Sequence, residues 1–134
     1  MNIVIIDGHG GSLGTQLVKS IGTTYPGADL TAIGTNATAT AAMIKAGAKN
    51  AATGENPVIV ACRYADVIIG PIGMVIADSL LGEITPAMAV AVGQASAPKI
   101  LLPVNRCENL VAGLGDMNTT ALINDAMEKL GRFM

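Results

Sequence analysis

The chain opens on "NIVII", a strand from Asn2 to Ile6 whose residues Ile3 to Ile6 are all apolar and β-branched, and which passes directly into the turn "DGHGGSLG". A strand with no polar alternation is buried on both faces, and such strands sit inside parallel sheets covered by helices on either side. A dense glycine turn straight after it, followed by a helical pattern from about Leu13, is the start of a βα unit. That pairing constrains the rest of the chain more than any other feature.

The alternation continues to the C-terminus. "ADLTAIGT" reads as the second strand, "ATATAAMIKAGA" as a helix ended by Gly47, and "KNAATG" as a short third strand. "ENPVIVACRYA" follows as a helix with Asn56 as cap and Pro57 at its first position. "ADVIIG" is a fourth strand, "MVIADSLL" a helix closed at Gly82, and "TPAMAVAVGQASA" a helix opened by Thr85 and Pro86. "PKILLPV" is the fifth strand and "ENLVAGLG" a candidate sixth, at an edge. The last helix spans about Thr119 to Leu130, with Leu122, Ile123, Ala126, Met127 and Leu130 as its buried stripe. Ser12 is placed to cap the first helix. The expected architecture is one α/β domain over residues 1–134, a doubly wound, mostly parallel sheet of five or six strands in the order 3-2-1-4-5.

Composition excludes several functions. Charged residues are 13% of the chain against about 25% in an ordinary soluble domain, and basic residues are scattered singly. With a net charge of −2 and only Tyr25, Tyr64 and Phe133 as aromatics, neither a basic footprint nor a base-stacking platform for nucleic acid is present. The uncharged run "VIIGPIGMVIA" is 11 residues long, short of the ~20 that cross a bilayer, so no membrane partner is expected. The N-terminus lacks the basic start of a signal peptide, and the expected location is cytoplasmic. One histidine and two cysteines, Cys62 and Cys107, show no metal-ligand spacing, so no metal is expected and the thiols should be free. From Val67 to Val92 the only charges are Asp78 and Glu83, a surplus of apolar surface that suggests a homodimer interface.

In a parallel sheet of this kind, ligands sit beyond the carboxyl ends of the strands, where the strand order reverses. The segments after the strands are "DGHGGSLG", "GTNATAT", "ATGENP", "GPIGM" and "PVNRCEN", and they gather most of the small polar residues. Gly8, Gly11 and Gly14 have the G-x-x-G-x-x-G spacing of the extended short-chain dehydrogenase group. G-x-G-x-x-G fits less well, because it would place Leu13 at the third glycine. The physical demands are a tight turn at Gly8, backbone approach to a phosphate near Gly10 and Gly11, and helix packing at Gly14, with the helix start at Ser12 facing the anion. A P-loop is rejected, because Gly14 stands where its lysine should precede Thr15.

The expected ligand is a nucleotide or dinucleotide of NAD(P) type, or another phosphorylated small molecule. Its expected contacts are Gly8, Gly10, Gly11, Ser12, Leu13, Gly14, Thr35, Asn36, Gly70, Pro71 and Asn105. No acidic residue ends the second strand, which reads "GTN", and Tyr-x-x-x-Lys is absent, with Asp29 four residues after Tyr25 and Ile68 four after Tyr64. Hydride transfer of the short-chain dehydrogenase type is therefore not expected. If the protein is an enzyme, a lyase, isomerase or transferase acting on a phosphorylated metabolite, Glu55 or Asp7 is the candidate base and Arg106 the anion clamp. Asp7 serves equally as a carboxylate holding the turn, and Arg106 equally as a surface ion-pair partner. His9 reads as either facing the ligand or as solvent-exposed. Cys107, beside Arg106, is a candidate reactive thiol or an inert one, and Cys62 is core. The third reading is a structural or regulatory subunit whose glycine loop is only a turn.

The segments "IDGHGGSLG", "IGTNATATAAMIKAGA", "ATGENPVIV", "ADVIIGPIGMVIADSLLGEITPAMA" and "KILLPVNRC" together resemble a small bacterial family, found largely in anaerobic Gram-positive lineages and catalogued as a domain of unknown function. The resemblance spans nearly the whole chain and implies a Rossmann-like domain. It carries no characterised reaction or active site.

Overall fold

Strand β1, Asn2–Asp7, buries Ile3, Val4, Ile5 and Ile6 to 1% exposure or less, and its alternation splits them between two cores. A computed structural model describes residues 1–104 and 109–134. Ile3 and Ile5 face helices α1 (Ser12–Thr24), α2 (Ala37–Lys45) and α5 (Thr119–Gly131), through Leu17, Met43, Ile123 and Leu130. Val4 and Ile6 face α3 (Glu55–Tyr64) and α4 (Pro86–Gln94), through Val58, Met88 and Val92. One strand with no polar face thus requires helices on both sides.

The other strands are β2 (Asp29–Gly34), β3 (Asn50–Thr53), β4 (Val67–Pro71) and β5 (Lys99–Leu102). All pairings are parallel and the order is β3-β2-β1-β4-β5, as expected from the sequence. The register sets Asp7 beside Gly34, Gly34 beside Thr53, and Pro71 beside Leu102, so the strands end along one edge. The chain builds outward from β1 to β3, then returns to place β4 on the other side of β1. The reversal therefore falls between β1 and β4, with Asp7 and Pro71 at its mouth.

Several local expectations are corrected. Ser12 is not the cap of α1: Gly11 holds that position at φ 76 with no side-chain cap, and the Gly14 N–H donates instead to the Asp7 carboxylate at 2.7 Å. Asn56 lies inside α3, because Gly54 at φ 104 makes the turn two residues earlier than expected. "MVIADSLL" is not an α-helix. A 3-10 helix, Ile72–Val75, gives way to turns, and Asp78, Leu80, Leu81 and Gly82 all have positive φ, which an α-helix does not accommodate. The Ser79 hydroxyl donates to the Gly73 carbonyl at 2.5 Å, drawing the segment back on itself.

"ENLVAGLG" forms no strand among its described residues. Gly113, at φ 83, turns the chain, and Leu110 is 92% exposed, so the apolar residues are not buried in strand alternation. Thr85 does cap α4, accepting from the Met88 N–H at 3.2 Å with Pro86 in the first turn. Cys62 is buried, and Met127 is only partly so. Much of the apolar surplus of 67–92 is absorbed in the two cores, by Val67 and Ile69 on one face of the sheet and by Ile68, Met74, Leu80, Ile84, Met88 and Val92 on the other, which leaves Leu81 and Val90 outward. Among the described residues no helix is long and apolar enough to cross a membrane.

Candidate functional site

The loop after β1 is a tight turn in which the Gly11 N–H donates to the Gly8 carbonyl at 2.9 Å and His9 takes φ 50. Three of its glycines are required by packing. A Cβ on Gly8 would lie 2.5 Å from the Thr35 hydroxyl and 2.8 Å from Glu83 Oε1; one on Gly14 would lie 2.5 Å from Met43 Sδ. One on Gly11 would stand 2.9 Å from both Cα and the carbonyl oxygen of Ala39, so Gly11 brings α1 against the backbone of α2. Gly10 has nothing within 4 Å of its Cβ direction.

A cavity of about 80 Å³ opens here, lined by Asp7 and the whole turn from Gly8 to Leu13, with Pro71, Leu80 and Val104 as its far wall. It lies at the reversal between β1 and β4. Around it the N–H groups of Gly10, Ser12 and Leu13 have no acceptor among the described residues. Those of Ser12 and Leu13 belong to the unpaired first turn of a 13-residue helix, whose dipole adds positive potential. A larger groove of about 540 Å³ runs between α3 and α4 past Ile59, Cys62, Val90 and Gln94. Its polar lining consists of the side chains of Arg63 and Gln94 and of Ser96, with no strand end among the lining residues.

Asp7 is buried at 6% exposure and accepts from the N–H groups of Gly14 and Gly8. Burial pushes its pKa above the usual 3.8, against the pull of those two N–H groups and of His9, while Glu83 adds to the rise. Thr35 and Asn36, after β2, lie beside the loop. The Thr35 N–H donates to the Asp7 carbonyl at 2.9 Å, and Asn36 caps α2, accepting from the Ala39 N–H at 2.8 Å.

Gly70 is buried in β4, where an added Cβ would overlap the Ile6 carbonyl, and Pro71 lines the cavity. Glu55 is not brought to this cavity. It opens α3, is exposed, and accepts from the Thr85 hydroxyl at 2.6 Å, so it is not paired with Asp7. The candidates Asn105, Arg106 and Cys107 lie outside the described residues. Among the described residues no three His, Cys, Asp or Glu side chains gather in a metal-binding group.

The residue that sequence reasoning missed is Glu83. Its Oε1 accepts from the His9 N–H at 3.0 Å, the Thr35 hydroxyl at 2.6 Å and the Asn36 carboxamide at 2.7 Å, and its Oε2 is 3.8 Å from His9 Nδ1. The second strand carries no acid of its own, yet a carboxylate stands at its end, delivered by the turn before α4. Burial works to raise the Glu83 pKa. The bonds from Thr35, His9 and Asn36, with the charge of His9, outweigh it and hold the carboxyl below the usual 4.5.

The two carboxylates give opposite pH dependences. Glu83, with its folded pKa lowered, adds stability that is present above pH 4.5 and lost as the pH falls through its folded value. Asp7, with its folded pKa raised, imposes a penalty that sets in as the pH rises above 3.8 and is complete above its folded value. Melting curves between pH 3 and 7 should show the wild type's advantage over Glu83→Gln shrinking on acidification below about pH 4.5. Asp7→Asn should instead gain on the wild type as the pH rises. Parallel profiles for all three proteins would mean that neither carboxylate titrates differently on folding.

No curated protein matches the chain significantly. Among solved structures it is similar to a dodecameric FMN-dependent Ubix-like decarboxylase from Escherichia coli O157:H7, with 16% identity, a TM-score of 0.47, and 99% of this chain and 76% of that chain covered. At residues 2–134 the chain matches the family described as a domain of unknown function (DUF3842), and it belongs to that family.

Proposed function

We propose that the protein binds a nucleotide, a dinucleotide of NAD(P) type or another phosphorylated small molecule, with its phosphate on the Gly8–Gly14 loop. The observation that carries the reading is the set of unpaired N–H groups of Gly10, Ser12 and Leu13 around a cavity at the sheet reversal. Backbone donors at a helix start bind phosphate without a basic side chain. The cavity, at about 80 Å³, is far below the ~300 Å³ of ordinary ligand pockets. It suits a phosphate-sized group, and the rest of the ligand lies outward across the exposed His9 and Gly10.

Calorimetric and thermal-shift titrations with NAD, NADP, FAD, ATP and sugar phosphates test the reading. A ligand at a hundred times its Kd should add ~2.7 kcal/mol to stability, which for a chain of this size raises the melting temperature by roughly 5–10 °C. No heat and no shift with any of them would overturn it.

A further inference from the structure

Glu83 converges with three donors that come from two other loops, and among the described residues no lysine or arginine takes part. The His9 N–H, the Thr35 hydroxyl and the Asn36 carboxamide all point at a single oxygen, Oε1, at 2.6 to 3.0 Å. Such a donor set, built on backbone and neutral side chains, is what an oxyanion requires. Gly8 clears the approach, since its missing Cβ would lie 2.8 Å from that same oxygen. The unpaired N–H groups of Gly10, Ser12 and Leu13 belong to the same loop.

The carboxylate, though held by these three bonds, is partly open to solvent. Glu83 is 25% exposed, and the turn that carries it closes on itself through the Asp78 N–H, which donates to the Ile84 carbonyl at 2.7 Å. Its side chain can therefore swing outward while the turn keeps its own bonds and Leu80 and Ile84 stay buried.

We propose that His9 N–H, Thr35 and Asn36 form an oxyanion subsite that Glu83 fills, and that a phosphate group of the ligand competes with the Glu83 carboxylate for it. The inference rests on the reading of the glycine loop as a phosphate site and extends that site to the end of β2. Occupation by Glu83 lowers affinity for anions, and the ligand must carry enough phosphate charge to displace it.

The test is a titration with inorganic pyrophosphate at pH 7, followed by amide NMR, on the wild type, Glu83→Ala and Glu83→Gln. Glu83→Ala should bind at least tenfold more tightly than the wild type, with the His9 amide and the Asn36 side-chain amide moving. Glu83→Gln, which keeps the shape of the side chain and guards against loss of fold, should change in the same direction by less. Thr35→Val in the Glu83→Ala background should reverse the gain. Asp78→Asn removes a negative charge from the same turn at an exposed position, where asparagine tolerates the positive φ, and should change affinity by no more than twofold.

Equal affinities, with movement confined to Gly10, Ser12 and Leu13, would overturn the competition and leave the loop reading standing. Movement confined to His9 and Asn36 would support the subsite and overturn the loop cradle. An Asp78→Asn gain as large as that of Glu83→Ala would reduce the effect to general charge and overturn the subsite. No movement in any variant would overturn both.

Discussion

Gly11→Val is expected to lower the melting temperature by about 10–15 °C, corresponding to ~3–5 kcal/mol of lost stability. Two costs add at this position. The backbone stands at φ 76, a conformation that strains any L-residue by ~1–2 kcal/mol and a β-branched one by more. The new Cβ would also lie 2.9 Å from Ala39 Cα and carbonyl oxygen, atoms of helix α2 that cannot rotate away as a side-chain tip would. Relief requires moving α1 away from α2, and both helices pack on the same face of the sheet. Differential scanning calorimetry reads the effect directly. A drop of less than about 3 °C, under ~1 kcal/mol, would mean that the two helices are not held together at Gly11.

Gly10→Val is expected to do the opposite, leaving the melting temperature within ~2 °C of the wild type, as exposed substitutions away from packed features do. Nothing lies within 4 Å of the Gly10 Cβ direction, and its φ is outside the left-handed range. The fold has no use for a glycine there. A phosphate seated on the N–H groups of Gly10, Ser12 and Leu13 would meet the new side chain, and affinity should fall about a hundredfold, ~2.7 kcal/mol. The measurement is calorimetric titration of both proteins with whichever nucleotide or sugar phosphate binds the wild type. Unchanged affinity would place the ligand away from this backbone and count against the proposed function. Read together, the two variants separate a glycine held by packing from one left open for a ligand, although they are adjacent in the chain.

The sheet and its order were legible in the sequence because they rest on local periodicity. Ile3 to Ile6 admit no solvent-facing side, and each strand from β1 to β4 is followed by a helical crossover that returns the chain parallel. The glycine loop was legible for the same reason, as a run of short-range backbone demands directly after β1. The corrected elements are those where a local signal was outcompeted. Ser12 and Asn56 are good caps by type, yet Gly11 and Gly54 reach positive φ and turn the chain before them. "MVIADSLL" has apolar residues at helical spacing, but Ile84 and Leu80 are buried from a turn and no helical stripe is formed.

The candidate site divides along the same line. Asp7, Gly8, Thr35, Asn36 and Pro71 could be placed from the sequence, because the end of a parallel strand is a known location once strand order is known. Glu83 could not. It meets His9 across 74 positions of chain and Thr35 across 48, and in the sequence it is only one of two charges in an apolar stretch. Glu55, the other candidate base, lies apart from the cavity that Asp7 lines and is bonded to Thr85, a placement that strand order alone does not give. The sequence by itself determined the layers, the strand order and the loop that faces the reversal, all of which follow from burial period and backbone conformation. Which carboxylate reaches the donors after β1 and β2 was decided only by the tertiary fold, because that contact depends on the path of the turn before α4, which no local pattern encodes.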